Sequence, residues 1–185
     1  MTSYEDKMKN VLNYLKEPGL LSPTGFSPIV YLVYEPEDVF IIRNEIESVL
    51  LPTANYQQFT PHIISLGELI DNFINHNKYL SFWTDPEVSE KELYESIAQD
   101  IKDEEYLEKE LLSLQDKYVS EQQPLLILKD LEVLHPFSMI GVIENKIYNQ
   151  IRVPTIILYP GEMQGTARSF LGIYNQDGNY RSICF

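Results

Sequence analysis

Short, solidly apolar runs alternate along this chain with stretches whose apolar residues recur every three or four positions. Ile29-Val30-Tyr31-Leu32-Val33-Tyr34 is the clearest run, and its length and continuity predict a strand buried on both faces. His62–Leu66, Pro124–Leu128 and Val153–Tyr159 have the same character, and Tyr180–Phe185 supplies a fifth. Between them the helical period takes over. Tyr4, Met8, Val11, Leu12 and Leu15 mark a helix over 3–16 that Pro18-Gly19 stops, before a Pro/Gly/Ser-rich loop, Leu20–Pro28. Glu35-Pro36-Glu37-Asp38 opens a second helix, with a stripe of Val39, Ile42, Ile46, Val49 and Leu50 closed by Leu51-Pro52.

A third helix carries Leu69, Ile70, Phe73 and Ile74, while 75–84 fits neither period. Ser89 and Glu92 have the spacing of a capping box that would open another helix. There the apolar set Leu93, Ile97, Ile101 is offset from the set Leu107, Leu111, Leu114, Tyr118, with charged Lys102–Glu105 between them. Two helices, or one bent helix, accommodate that offset; a straight rod does not. Pro136 introduces a last helix through Ile140, Ile143, Ile147 and Ile151. Alternating strands and helices predict an α/β fold with a mostly parallel sheet of about five strands flanked by helices. Length fits one domain over 1–185, with a helical, acidic excursion at about 75–120.

Charge changes this picture in one place. Residues 85–121 hold 13 of the 28 acids against four lysines, a net of −9 within a total of −14. So acidic a chain is not expected to bind nucleic acid directly, because Lys and Arg supply that affinity. The excess is either a solvated helical face or a docking face for a basic partner, and Glu104, Glu105 and Glu108 are the candidate residues. No apolar run reaches the ~20 residues of a membrane span, and the first residues lack a signal-peptide pattern. A cytoplasmic protein is expected, and a lone Cys184 offers no internal disulfide.

Candidate chemistry is sparse. A Walker A loop requires G-x-x-x-x-G-K-[ST] after the first strand, and Glu35-Pro36-Glu37-Asp38 stands there instead. Leu125-Leu126-Ile127-Leu128-Lys129-Asp130 approaches a Walker B strand, but Lys129 occupies the acid's place and Asp130 comes one residue late. The three histidines lack metal-ligand spacing, and no G-x-S-x-G elbow is present. Tyr159-Pro160-Gly161-Glu162 reads as a turn leading into a glycine-spaced loop. With Gly165, Arg168 and Arg181 it forms a candidate partner- or ligand-binding loop. No complete catalytic set, metal site or cofactor is expected.

The order of these motifs resembles the BrxB family, a domain of unknown function in bacterial BREX phage-exclusion systems. The resemblance rests on Pro28–Asp38 (P-I-V-Y-L-V-Y-E-P-E-D) and on Pro124–Asn149 with His135-Pro136-Phe137. It rests above all on Val153–Phe185, where V-P-T-I-I-L-Y-P-G-E-M-Q-G is followed by N-Y-R-S-I-C-F. It implies a P-loop-NTPase-like or Rossmann-like core without a Walker A loop. It also implies a noncatalytic accessory or scaffold subunit acting with phosphatase-like, methyltransferase and ATPase proteins, and it carries over no catalytic residue. The rival expectation is a small-ligand or nucleotide-binding α/β enzyme using the 159–168 loop and Asp130.

Overall fold

The computed structural model describes residues 3–17, 27–164, 167–173 and 182–185. Five strands form the parallel sheet: β1 (Ile29–Tyr34), β2 (Thr60–Ser65), β3 (Pro124–Lys129), β4 (Thr155–Gln164) and β6 (Ile183–Cys184). Their order across the sheet is β2-β3-β4-β1-β6, and β5 (Ala167–Phe170) pairs antiparallel with the far end of β4. The apolar runs are continuous because helices cover both faces. Along β1, Ile29, Tyr31 and Val33 enter one core while Val30, Leu32 and Tyr34 enter the other.

One face is covered by α1 (Tyr4–Leu15) and by the helical stretch α2 (Val39–Glu45) to α3 (Leu51–Tyr56). The side chain of Ser3 caps α1 by accepting from the Asp6 N–H, and Met8, Val11, Leu12 and Leu15 form its buried stripe. The second helix does not stop at Leu51-Pro52. It passes through Pro52 by widening to a π-turn over Ile46–Leu50, where the Leu51 N–H reaches back to the Ile46 carbonyl. Proline is tolerated in the first turn of α3, where its missing donor costs little.

The other face is covered by α4 (Leu66–His76), α6 (Glu90–Asp103), α7 (Tyr106–Tyr118) and α8 (Ile140–Ile147), with the single turn α5 (Leu80–Trp83) between α4 and α6. The capping box forms as spaced: Ser89 Oγ accepts from the Glu92 N–H, and the Glu92 carboxylate accepts from the Ser89 N–H. The offset apolar sets are two helices, broken where Glu105 adopts a left-handed backbone. Ile97, Ile101, Leu107 and Leu111 all enter the core, so much of this segment is sheet cover. Helix α8 begins at Ile140 rather than Pro136, after a 3-10 turn (Leu131–Leu134).

The largest departure from the sequence-based expectation lies in 159–164. Pro160-Gly161 is not a turn: β4 runs through both residues to Gln164 before folding back as β5. Pro160 lies opposite Tyr34, where β1 ends, so its missing N–H breaks no long ladder. Gly161 faces Phe170 in the hairpin, and a Cβ there would lie 2.2 Å from the Ser169 carbonyl oxygen. Close backbone approach, rather than a turn conformation, requires the glycine.

Candidate functional site

Ligands of parallel α/β sheets sit beyond the carboxyl ends of the strands. At the end of β1, Glu35 and the 3-10 turn Pro36–Asp38 stand where a phosphate loop would lie, and α1 closes over them. The Tyr4 hydroxyl donates to the Asp38 carboxylate at 2.6 Å and accepts from the Glu35 N–H at 3.2 Å. Lys7 Nζ donates to the Val33 carbonyl at 2.8 Å. Burial, reinforced by the hydrogen bond to Asp38, pushes the Tyr4 pKa up to about 12, and burial lowers that of Lys7. Both side chains are therefore spent on tying α1 to the strand end.

The ends of β2 and β3 are open. Ser65 and Lys129 lie opposite each other in register, and Asp130 follows in a left-handed conformation that an aspartate tolerates. Ser65 Oγ donates to Asp130 Oδ2 at 2.6 Å and accepts from the Glu68 N–H as the cap of α4. Arg43, from α2, uses Nη2 to reach Asp130 Oδ1 at 3.2 Å and Glu132 Oε1 at 3.1 Å. Lys129 Nζ stands 3.6 Å from Asp130 Oδ2. Nearby, burial first and the Glu132 charge second raise the Tyr34 pKa. Arg43, Ser65, Lys129 and Asp130 line a cleft of about 670 Å³ whose far wall is Gly67, Glu68, Asp71 and Asn72 on α4. Sequence reasoning singled out Asp130 and missed Ser65 and Arg43. The Ser-Leu-Gly-Glu spacing at 65–68 is an unread cap signal that points to Ser65; nothing local points to Arg43, 87 residues from Asp130.

The residues proposed from the 159–168 segment are scattered by the hairpin. Tyr159 and Gly161 are buried, Glu162 is exposed, and Gly165 and Arg181 lie outside the described residues. Arg168 is only 1% exposed, with its guanidinium 3.4 Å from the centroid of the Tyr31 ring and 5.3 Å from that of Tyr159. The Tyr31 hydroxyl donates to the buried Glu144 carboxylate at 2.5 Å, and the Ser182 hydroxyl donates to its other oxygen. Arg168 Nη1 lies 3.7 Å from Cys184 Sγ. This cluster joins β1, β4, β5, α8 and β6 within the core. Tyr31 and Glu144 were absent from the sequence-level candidates because Tyr31 sits in an apolar run that reads as ordinary core and Glu144 opens a polar triplet, Glu144-Asn145-Lys146, that reads as a solvated helix face.

The three acids proposed as a docking face occupy the corner between α6, α7 and α8. Glu108 pairs with Lys146 at 2.8 Å and its side chain is 12% exposed; Glu105 reaches the same lysine at 3.7 Å, and Glu104 lies 4.0 Å from Lys78. No helix among the described residues is long and apolar enough to cross a membrane.

No curated protein and no solved structure matches the chain significantly. A family model described as "BREX protein BrxB" matches residues 62–185, from β2 through β6. That span covers two thirds of the sequence and includes the Asp130 cleft wall, α8 and the β4–β5 hairpin. The chain belongs to the BrxB family, and membership implies a component of a BREX phage-defence system.

Proposed function

We propose that this BrxB-family chain acts as a noncatalytic scaffold that binds other proteins of its BREX system. The observation that carries the reading is the sealed end of β1. There Tyr4 and Lys7 bind the groups around which a phosphate-binding loop would have to be built. Three carboxylates, Glu35, Glu37 and Asp38, repel a phosphate at that strand end, and Pro36 has no N–H to offer one. The expected partners are the phosphatase-like, methyltransferase or ATPase subunits of the same system. Co-expression from the native operon followed by size exclusion tests the idea. A stable complex supports it, and elution of the chain alone in the presence of every neighbour overturns it.

The Asp130 cleft favours a second reading, binding of a small ligand. Its volume lies within the ~300–1,000 Å³ typical of ligand pockets, and Arg43, Lys129 and Asp130 converge on it. A thermal-shift screen with nucleotides and magnesium separates the two readings. A shift of the wild type that Asp130→Ala abolishes favours the ligand, and a flat response favours the scaffold.

A further inference from the structure

The outer face of α8 has no cover among the described residues, and its neighbours give it a chemical character. Met139 and Val142 are 57% and 52% exposed and lie one turn apart, with the Val142 N–H donating to the Met139 carbonyl. Two residues before Met139, the Phe137 ring packs edge-on against Tyr94 of α6, centroids 6.0 Å apart, and Tyr94 is itself 39% exposed. Apolar surface thus runs from α6 across the start of α8. Acid borders the α6 end, and at the α8 end a lysine is already neutralised. The Tyr94 hydroxyl is hydrogen-bonded to the Glu90 carboxylate. One turn beyond Val142, Lys146 is already held by Glu108 and Glu105.

We propose that this strip is a docking surface for a segment of a partner protein that combines apolar side chains with Lys and Arg. The inference rests on the scaffold reading above and adds the surface and the partner's chemistry. Charge complementarity decides between occupants. The segment 85–121 that supplies Tyr94 and the bordering acids carries a net −9 within a chain of −14. A second copy would bring the same charge to the same face and be repelled, whereas a basic segment gains at the Glu90 end of the strip and from the acid excess around it. The apolar centre, once dried, supplies the affinity, and the acid rim supplies orientation and salt sensitivity.

The test uses the full chain co-expressed with the other proteins of its BREX system, followed by affinity measurement on the purified complex. Val142→Glu and Met139→Ser both change exposed positions, so each should keep the wild-type unfolding midpoint. Each should weaken assembly by about tenfold or more, and the wild-type affinity should fall as salt rises. Wild-type assembly that both variants retain in full, or that ignores salt, overturns the surface and leaves the scaffold reading standing. A wild type that assembles with nothing overturns the scaffold reading itself. A wild-type homodimer that Val142→Glu dissociates overturns the basic partner in favour of a second copy.

Discussion

The Asp130 cluster and the Glu144 cluster use similar side chains to opposite ends. Both centre on one carboxylate, both recruit a serine hydroxyl, and both include an arginine, paired with the carboxylate in the first and stacked on the Tyr31 ring in the second. The first stands at the mouth of an open cleft, where Arg43 is half exposed and solvent screens its pairs. The second is sealed between the sheet and α8, where Glu144 has the Tyr31 and Ser182 hydroxyls as donors in place of water. A charge at a strand end can change partners when a ligand arrives; a buried charge is bound into the fold. The shared chemistry therefore predicts little by itself, and depth decides whether a polar cluster holds the molecule together or meets something outside it.

The largest effect that sharpens this contrast comes from the hairpin over the buried cluster. Gly161→Ala places a methyl group 2.2 Å from a backbone oxygen and 2.9 Å from the Tyr159 ring, and neither can step aside cheaply. Loss of at least roughly 3 kcal/mol is expected, enough to open the β4–β5 hairpin. Gly161→Val should be worse. A urea midpoint for Gly161→Ala equal to that of the wild type would show that β4 and β5 do not approach so closely.

Next comes Glu144→Ala, which leaves the buried Tyr31 hydroxyl and the half-buried Ser182 hydroxyl without this acceptor. Removing one member of a buried, hydrogen-bonded set costs about 3 kcal/mol. That cost should persist at high salt, because buried interactions are screened little. A loss below about 1 kcal/mol would place Glu144 with the surface acids and dissolve the distinction between the clusters.

The same distinction governs how much of the molecule was legible in the sequence. The central strands could be read because a parallel sheet covered on both faces demands unbroken apolar runs, and Ile29–Tyr34 and Pro124–Lys129 supply them. The break between α6 and α7 was visible in the offset of Ile97 and Ile101 from Leu107 and Leu111, and the cap of α6 in Ser89 and Glu92. Prolines misled. Pro52 sits inside a helical stretch because a π-turn absorbs it, and Pro160 inside a strand because β1 ends beside it. In each case a tertiary circumstance overrides a local signal. The candidate site was legible at Asp130, which stands at a strand end, and illegible at Arg43, Tyr31 and Glu144. Their partners lie 87 and 113 residues away, and no spacing rule spans such separations.

The smallest expected effect lies in the open cleft. Arg43→Ala removes two of the three ion pairs of the Asp130 cluster, leaving Asp130 its hydrogen bond from Ser65 and its pair with Lys129 at 3.6 Å. Exposed pairs of this kind contribute roughly 0.2–1 kcal/mol. The single variant mixes that contribution with the repulsion of Asp130 and Glu132 left side by side, so a double-mutant cycle of Arg43→Ala with Glu132→Gln isolates the pair. The coupling should stay below about 1 kcal/mol and shrink as salt is raised, whereas the Glu144→Ala loss should not move. A coupling of about 2 kcal/mol or more that salt leaves untouched would bind the cleft into the fold as firmly as the buried cluster. Its charges would then be a structural brace, and the small-ligand reading of Asp130 would lose its freest groups.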